Sequence, residues 1–298
     1  MVSSSSPVGT DGADGVPESG PTARRILLGA LLRRLRENAG VARTDAAYEI
    51  RGSDSKMSRL EAGKVSFKER DVGDLLKMYG IAEGPDRDRV IEMARESNKS
   101  GWWQRYNEVI PSWFEDYVGL EASASRIQSY ELLFVPGLLQ TPEYARALVS
   151  GGHPDATDPE AEQRLTVRLQ RQRILRRPDA PTFWVVIDES VLQRPIGGEE
   201  VLTAQLDHLQ EMAALPSVVL QILPWRLSGY AAEHAFTMLR FAEPELPDLV
   251  YLEEHTGAAY LDKRADVESY TRIMDRLTID AMSPEASRRR LATLRAER

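Results

Sequence analysis

The chain has 298 residues, 42% hydrophobic and 28% charged, with a formal net charge of −8, which fits a soluble chain long enough for two domains, each with its own core. It contains no Cys, so disulfides, zinc fingers of the Cys type and thiol catalysis are excluded together. No stretch approaches the roughly 18–20 apolar residues that a bilayer-spanning helix needs.

Residues 1–22 are rich in Ser, Gly, Asp and Pro. They lack the basic start and apolar stretch of a secretion signal and read as a disordered tail of a cytoplasmic protein. From Arg24 to Asn38, Leu27, Leu28, Leu31, Leu32 and Leu35 recur at helical spacing, and Gly40 is a stop signal just past them. The next stretch, Arg43 to Lys64, reads as two short helices joined by a tight turn at Arg51-Gly52-Ser53. Gly52 is expected to supply a positive φ, and Ser53 or Asp54 to cap the second helix. Ala46 and Ala47 are small enough for that helix to approach closely, and Ile50 adds an apolar contact.

In the second helix Met57 and Leu60 stand three apart and point inward together. At about 100° per residue, Ser55 and Arg59 then lie nearly opposite them, with Ser58 and Ala62 alongside and Lys56 on the rim. A fourth helix is expected after Lys68, burying Val72, Leu75, Leu76 and Tyr79, and a fifth from Pro85 to Asn98 with Pro at its first position. From Arg24 to Ile81 there are 13 Lys or Arg against 8 Asp or Glu, a net of +5, so the remainder of the chain carries −13. Positive potential is concentrated where the helix pair lies. The pair has the layout of a helix-turn-helix, although an ordinary solvated helical hairpin would share its spacing.

The residues Leu28-Gly29, Leu35-Arg36, Gly40, Ala46-Ala47, Ile50 and Ser58-Arg59-Leu60-Glu61-Ala62-Gly63-Lys64 resemble the XRE-type helix-turn-helix domain of phage-repressor-like regulators. The sequence departs from that pattern at Arg43, where Gln is usual, at Ala46, where Leu is usual, and at Asp54, where an acid is rare. The resemblance implies a DNA-contact set of Arg43, Thr44, Ser53, Asp54, Ser55, Lys56, Ser58, Arg59 and Lys64. It also implies a partly buried ion pair between Arg36 and Glu61. Arg59 is the strongest base reader, because a guanidinium bonds bidentately to guanine O6 and N7. Lys56 and Lys64 would approach phosphates and add affinity without sequence information. Asp54 could accept from cytosine N4, but the capping role is the preferred reading.

Beyond Ser100-Gly101-Trp102-Trp103 the texture changes. An aromatic-rich opening is expected to turn helical from about Phe114. Pro136-Gly137 forces a turn, Thr141 and Pro142 start another helix, and a long helix is expected over Pro159 to Arg177. Strands are predicted at Thr182–Ile187, Val218–Leu223, Ala235–Phe241 and Leu249–Leu252, and helices at Glu199–Ala214, Lys263–Ala281 and Pro284–Ala296. The fold class is therefore α+β and mostly helical: a five-helix domain over 23–99, then a larger domain over 100–298 with a small mixed sheet covered by helices.

Leu120-Glu121-Ala122, Val135 to Arg146, Arg168 to Leu175, Asp188 to Leu192, Pro195 to Gly198, Gln205-Leu206 and Tyr251 to Glu253 together resemble the uncharacterised carboxyl-terminal domain attached to XRE-type repressors in actinobacteria. This implies a transcriptional regulator, a repressor in type, that binds double-stranded DNA as a homodimer at the nucleoid. A small partner protein encoded nearby, or a small-molecule effector, would act on the larger domain. The alternative is an antitoxin-like protein that sequesters a small partner and binds DNA mainly for autoregulation.

Acids and imidazoles gather near strand ends at Asp188-Glu189, Glu233-His234 and Glu253-Glu254-His255. None has metal-ligand spacing such as HExxH, and no phosphate loop or nucleophile elbow accompanies them, so no enzyme activity, cofactor or metal is expected. The basic run Arg168 to Arg177 fits a packed helix face better than a second DNA contact. The set Trp102, Trp103, Trp113, Phe114 and Tyr117 fits core or interface packing better than a ligand pocket.

Overall fold

The computed structural model describes residues 21–226, 232–244 and 246–298. Residues 1–20, which make up nearly all of the expected tail, lie outside this range. Five helices come first: α1 (Pro21–Asn38), α2 (Arg43–Glu49), α3 (Asp54–Glu61), α4 (Glu69–Met78) and α5 (Pro85–Ser97). Helix α1 begins three residues before the expected start at Arg24, and Thr22 and Ala23 are buried rather than part of a tail.

The start of α1 reflects its two apolar sides. Leu28 and Leu32 join Ala46, Ala47, Ile50, Met57, Leu60, Phe67, Val72, Leu75 and Leu76 in the first core. Ala23, Ile26 and Leu27 instead pack into the core of the second domain. Consecutive apolar residues Ile26-Leu27-Leu28 cannot all face one way on a helix, so α1 serves both domains. The Arg24 guanidinium adds an ion pair to Glu96 of α5 at 2.8 Å.

The second domain opens with a 3₁₀ turn, Trp102–Tyr106, followed by α6 (Ser112–Glu121), β1 (Arg126–Glu131), α7 (Pro142–Gly152) and α8 (Asp158–Arg171). Then come β2 (Thr182–Asp188), α9 (Glu199–Met212), β3 (Val218–Leu223), β4 (Phe236–Arg240), β5 (Leu249–Glu254), β6 (Gly257–Leu261), α10 (Arg264–Asp280) and α11 (Pro284–Ala296). The six strands form one sheet in the order β3-β2-β1-β4-β5-β6. β1 to β3 are parallel, and β4, β5 and β6 are added antiparallel. One face of the sheet carries Ile127, Phe183, Val185, Leu239 and Tyr251 under α6, α7, α9 and α11. The other carries Tyr130, Val186, Met238 and Val250 under α10.

Strands β1 and β6 were not expected from the sequence. Arg126, Gln128, Ser129 and Glu131 interrupt any apolar pattern in β1, yet Gln128 and Ser129 are buried in mid-sheet. Their polar atoms are satisfied there: Arg240 Nε donates to Gln128 Oε1 at 2.9 Å and Ser129 Oγ to Glu131 Oε1 at 2.6 Å. The expected long helix Pro159–Arg177 is also corrected: α8 ends at Arg171, and the chain tightens into a 3₁₀ turn, Gln172–Arg176.

The basic run is partly interior: Arg171 is buried and Arg168 and Arg177 half-buried, while Arg173 and Arg176 are exposed. Arg171 Nε and Nη2 each donate to the Glu121 carboxylate at 2.8 Å, and Tyr117 Oη donates to it at the same distance. The guanidinium also lies over the rings of Phe114 and Tyr117. Such a pair holds together because each charge has its hydrogen bonds filled. Trp103 and Tyr117 are buried, and the opening aromatics meet edge to face.

Candidate nucleic-acid interface

Helix α3 is held from beneath by Met57 and Leu60, both buried, against Ala46, Ala47 and Ile50 at the end of α2. The turn between the helices is made differently from expectation. The left-handed residue is Arg51, with φ of 50°, and not Gly52. Flanking bonds hold that conformation: Arg51 N–H donates to Tyr48 O at 2.9 Å and Gly52 N–H to Ala47 O at 2.8 Å. A Cβ at Gly52 would come 2.9 Å from Lys56 Cδ, a flexible side-chain atom able to move aside.

Ser53 is the cap of α3, its Oγ accepting from Lys56 N–H at 3.1 Å. Asp54 therefore does not cap. Arg43 Nε donates to its Oδ1 at 2.7 Å and Arg43 Nη2 to its Oδ2 at 2.8 Å. The pair ties the first residue of α2 to the first of α3, and the guanidinium holds the Asp54 carboxyl below the usual carboxylate range. Lys56 is also engaged, its Nζ donating to the buried Asp71 of α4 at 3.2 Å, with Arg70 on the other carboxylate oxygen at 3.2 Å. The cations at positions 43 and 56 thus have carboxylate partners within the protein.

The outward side of α3 is different. Ser55, Ser58, Arg59, Ala62 and Lys64 are exposed, as is Thr44 at the start of α2. Among the described residues the Arg59 guanidinium and the Lys64 ammonium have no carboxylate partner. Beneath them, Arg36 Nε and Nη2 donate to Glu61 at 2.5 and 3.1 Å, and Arg36 Nη1 donates to Val41 O at 3.0 Å. Both side chains are nearly buried, so this pair joins α1 to the end of α3 rather than facing outward. Backbone contact reinforces the joint, because a Cβ on Gly29 of α1 would lie 2.6 Å from Glu61 O. The result is a short rod with two outward cations and two serine hydroxyls, mounted rigidly on α1. Guanidinium and ammonium groups displayed this way can bond to phosphates and base edges.

Of the acids and imidazoles at strand ends, Glu233, His234, Glu254 and His255 are exposed, while Asp188, Glu189 and Glu253 have hydrogen-bond partners. Asp188 Oδ1 accepts from Ser190 N–H at 2.9 Å. Buried Glu189 accepts from Arg290 Nε at 2.5 Å and from Trp225 N–H at 3.2 Å. Tyr251 Oη donates to Glu253 at 3.1 Å. An open cleft of about 860 Å³ lies at the carboxyl ends of β2 and β3, walled by Glu189, Trp225, Arg226, Met282, Arg290 and Leu294. Among the described residues no helix is long and apolar enough to cross a membrane, and no group of three or more His, Asp or Glu could hold a metal ion.

Residues 27–90 match a helix-turn-helix domain, and residues 114–293 match a domain of unknown function, DUF5753. No curated protein and no solved structure matches the chain.

Proposed function

The chain belongs to the DUF5753 family and is a DNA-binding regulator of the helix-turn-helix kind; on that premise we propose that it represses transcription in the XRE manner, as a homodimer reading a two-fold operator at the nucleoid. One observation supports the reading above the rest: α3 buries Met57 and Leu60 and turns Arg59 outward with no carboxylate among the described residues to hold it. Arg59 would read a base edge, with Ser55 and Ser58 beside it, while Lys64 and Thr44 meet phosphates. The larger domain senses a small molecule, for which the cleft beside Trp225 offers room, or docks a small partner protein. It performs no catalytic step.

Operator selection from random duplexes with the purified full chain tests this reading. The expected product is one two-fold symmetric sequence with half-sites about 34 Å apart. Failure to enrich any sequence, with no duplex binding at low salt, overturns it. Repeating the selection with the neighbouring small protein present tests the docking role.

A further inference from the structure

The two edges of the six-stranded sheet are treated differently. At β3 the outward N–H and C=O of Ile222 are taken up by the chain running from the end of α10 into α11: Ile222 N–H donates to Ser287 Oγ at 2.9 Å, and Ile222 O accepts from Met282 N–H at 2.9 Å. At β6 nothing comparable occurs among the described residues. His255 and Thr256 form the two-residue turn of the β5–β6 hairpin, and Glu254 pairs with Gly257. In such a hairpin the closing pair is hydrogen-bonded. Gly257, Ala259 and Leu261 therefore bond to β5, while Ala258 and Tyr260 turn their N–H and C=O groups to the open edge.

An open edge is normally protected by charge, proline or a bulge, because it templates pairing with another strand. Strand β6, GAAYL, carries no charge and no proline. We infer that β6 is the dimer edge, pairing antiparallel with β6 of a second copy about a two-fold axis at Ala259, so that the two sheets become one of twelve strands. This rests on the homodimer reading above and supplies its surface.

Three features favour a second copy over another partner. In the register centred on Ala259, Ala258 of each copy faces Tyr260 of the other as a hydrogen-bonded pair, which gives four backbone bonds. The same pairing sets a small side chain against a large one on one sheet face, and Ala259 against itself on the other, where the closer spacing of a non-hydrogen-bonded pair suits two methyl groups. Charge is also complementary. The hairpin end carries exposed Glu253 and Glu254, and the far end of β6 runs into exposed Asp262, Lys263 and Arg264, where Arg264 is held by Glu268 of its own helix at 2.6 Å and Lys263 has no carboxylate partner among the described residues. An antiparallel two-fold brings the Lys263 ammonium of each copy toward Glu253 and Glu254 of the other.

The test is the mass of the full-length protein in solution by light scattering, with melting followed in parallel. The wild type is expected at twice 33.4 kDa. Ala258→Pro removes an outward N–H but none that bonds β5, so the folded protomer tolerates it at the sheet edge, and its mass is expected to fall to 33.4 kDa. Glu254→Arg and Lys263→Glu are each expected to weaken the dimer about tenfold, and the double variant to recover that loss. The charge variants decide the matter should the proline variant fail to fold. A monomeric wild type, a dimer that survives Ala258→Pro, or a double variant no tighter than either single one overturns the proposal. A wild type that binds no duplex defeats the DNA-reading role instead, and the masses still decide the edge.

Discussion

Arg43 and Asp54 are joined by two parallel hydrogen bonds of 2.7 and 2.8 Å across the turn between α2 and α3. The pair is nearly half exposed on both sides, so it contributes little to folding. Its consequence lies at the surface, where an anion stands at the start of the outward helix and occupies a guanidinium. Asp54→Asn removes that anion and frees Arg43. Duplex affinity should rise for specific and random DNA alike, and the slope of log K against log salt should steepen by about 1. Titrations at two or more salt concentrations check this. Unchanged affinity would mean that Arg43 stays clear of the phosphates.

Arg59 and Lys64 share the same face but are expected to act differently. Replacing a bidentate base contact costs about 1–3 kcal/mol of discrimination. Arg59→Ala should therefore weaken operator binding and bring it closer to random-sequence binding. Lys64→Ala should weaken both about equally and lower the salt slope by about 1. Equal losses on specific and random DNA for Arg59→Ala would remove that residue from base reading.

Much of the DNA-facing unit was legible beforehand, because its signals are local. The apolar spacing of Met57 and Leu60, the small pair Ala46-Ala47 and the proline opening α5 each act within a few residues. What the sequence hid depends on distant partners. Nothing near Lys56 announces Asp71, 15 residues on, and nothing near Asp54 announces Arg43 on the preceding helix. Strand β1 escaped for the same reason: its buried Gln128 is satisfied by Arg240, 112 residues away. The weak β former GAAYL gives β6 no signature until β5 pairs with it. In the turn the left-handed step falls on Arg51, held by backbone bonds to α2, and not on Gly52, the residue best able to adopt positive φ.

Helix α1 connects the two cores, and its tightest point is Gly29. A methyl group there would meet Glu61 O at 2.6 Å and Leu60 O at 2.7 Å, both backbone atoms at the end of α3. Neither can yield without moving that helix. Gly29→Ala should thus cost about 1–3 kcal/mol as overpacking, outweighing the gain of roughly 0.5–1 kcal/mol that Ala offers over Gly within a helix. Melting temperature is expected to fall, and operator binding to weaken although no DNA-facing side chain has changed. A melting point at or above that of the wild type would show that α1 and α3 have slack between them.

Stability depends on pH through Glu131. Burial pushes the Glu131 carboxyl up to about 7, Glu253 adds to the rise, and the Ser129 hydroxyl and Arg171 oppose it. The folded protein therefore keeps a proton on Glu131 where the unfolded chain, with its ordinary value near 4.5, has released it. Folding binds the extra proton, so this residue's contribution to stability is whole below about pH 4.5, falls as pH rises through about 7, and stays low above that. His153 and His208 pull the other way, since burial lowers their values and favours the folded state as pH rises through the ordinary His range. The difference between wild type and Glu131→Gln isolates the carboxyl from them. Between pH 5 and pH 8 the wild type should lose roughly 2–4 °C of melting temperature more than the variant does. Parallel melting curves across that range would mean that Glu131 is ionised in the folded protein at neutral pH, and that the sheet end it shares with Glu253 is open to water.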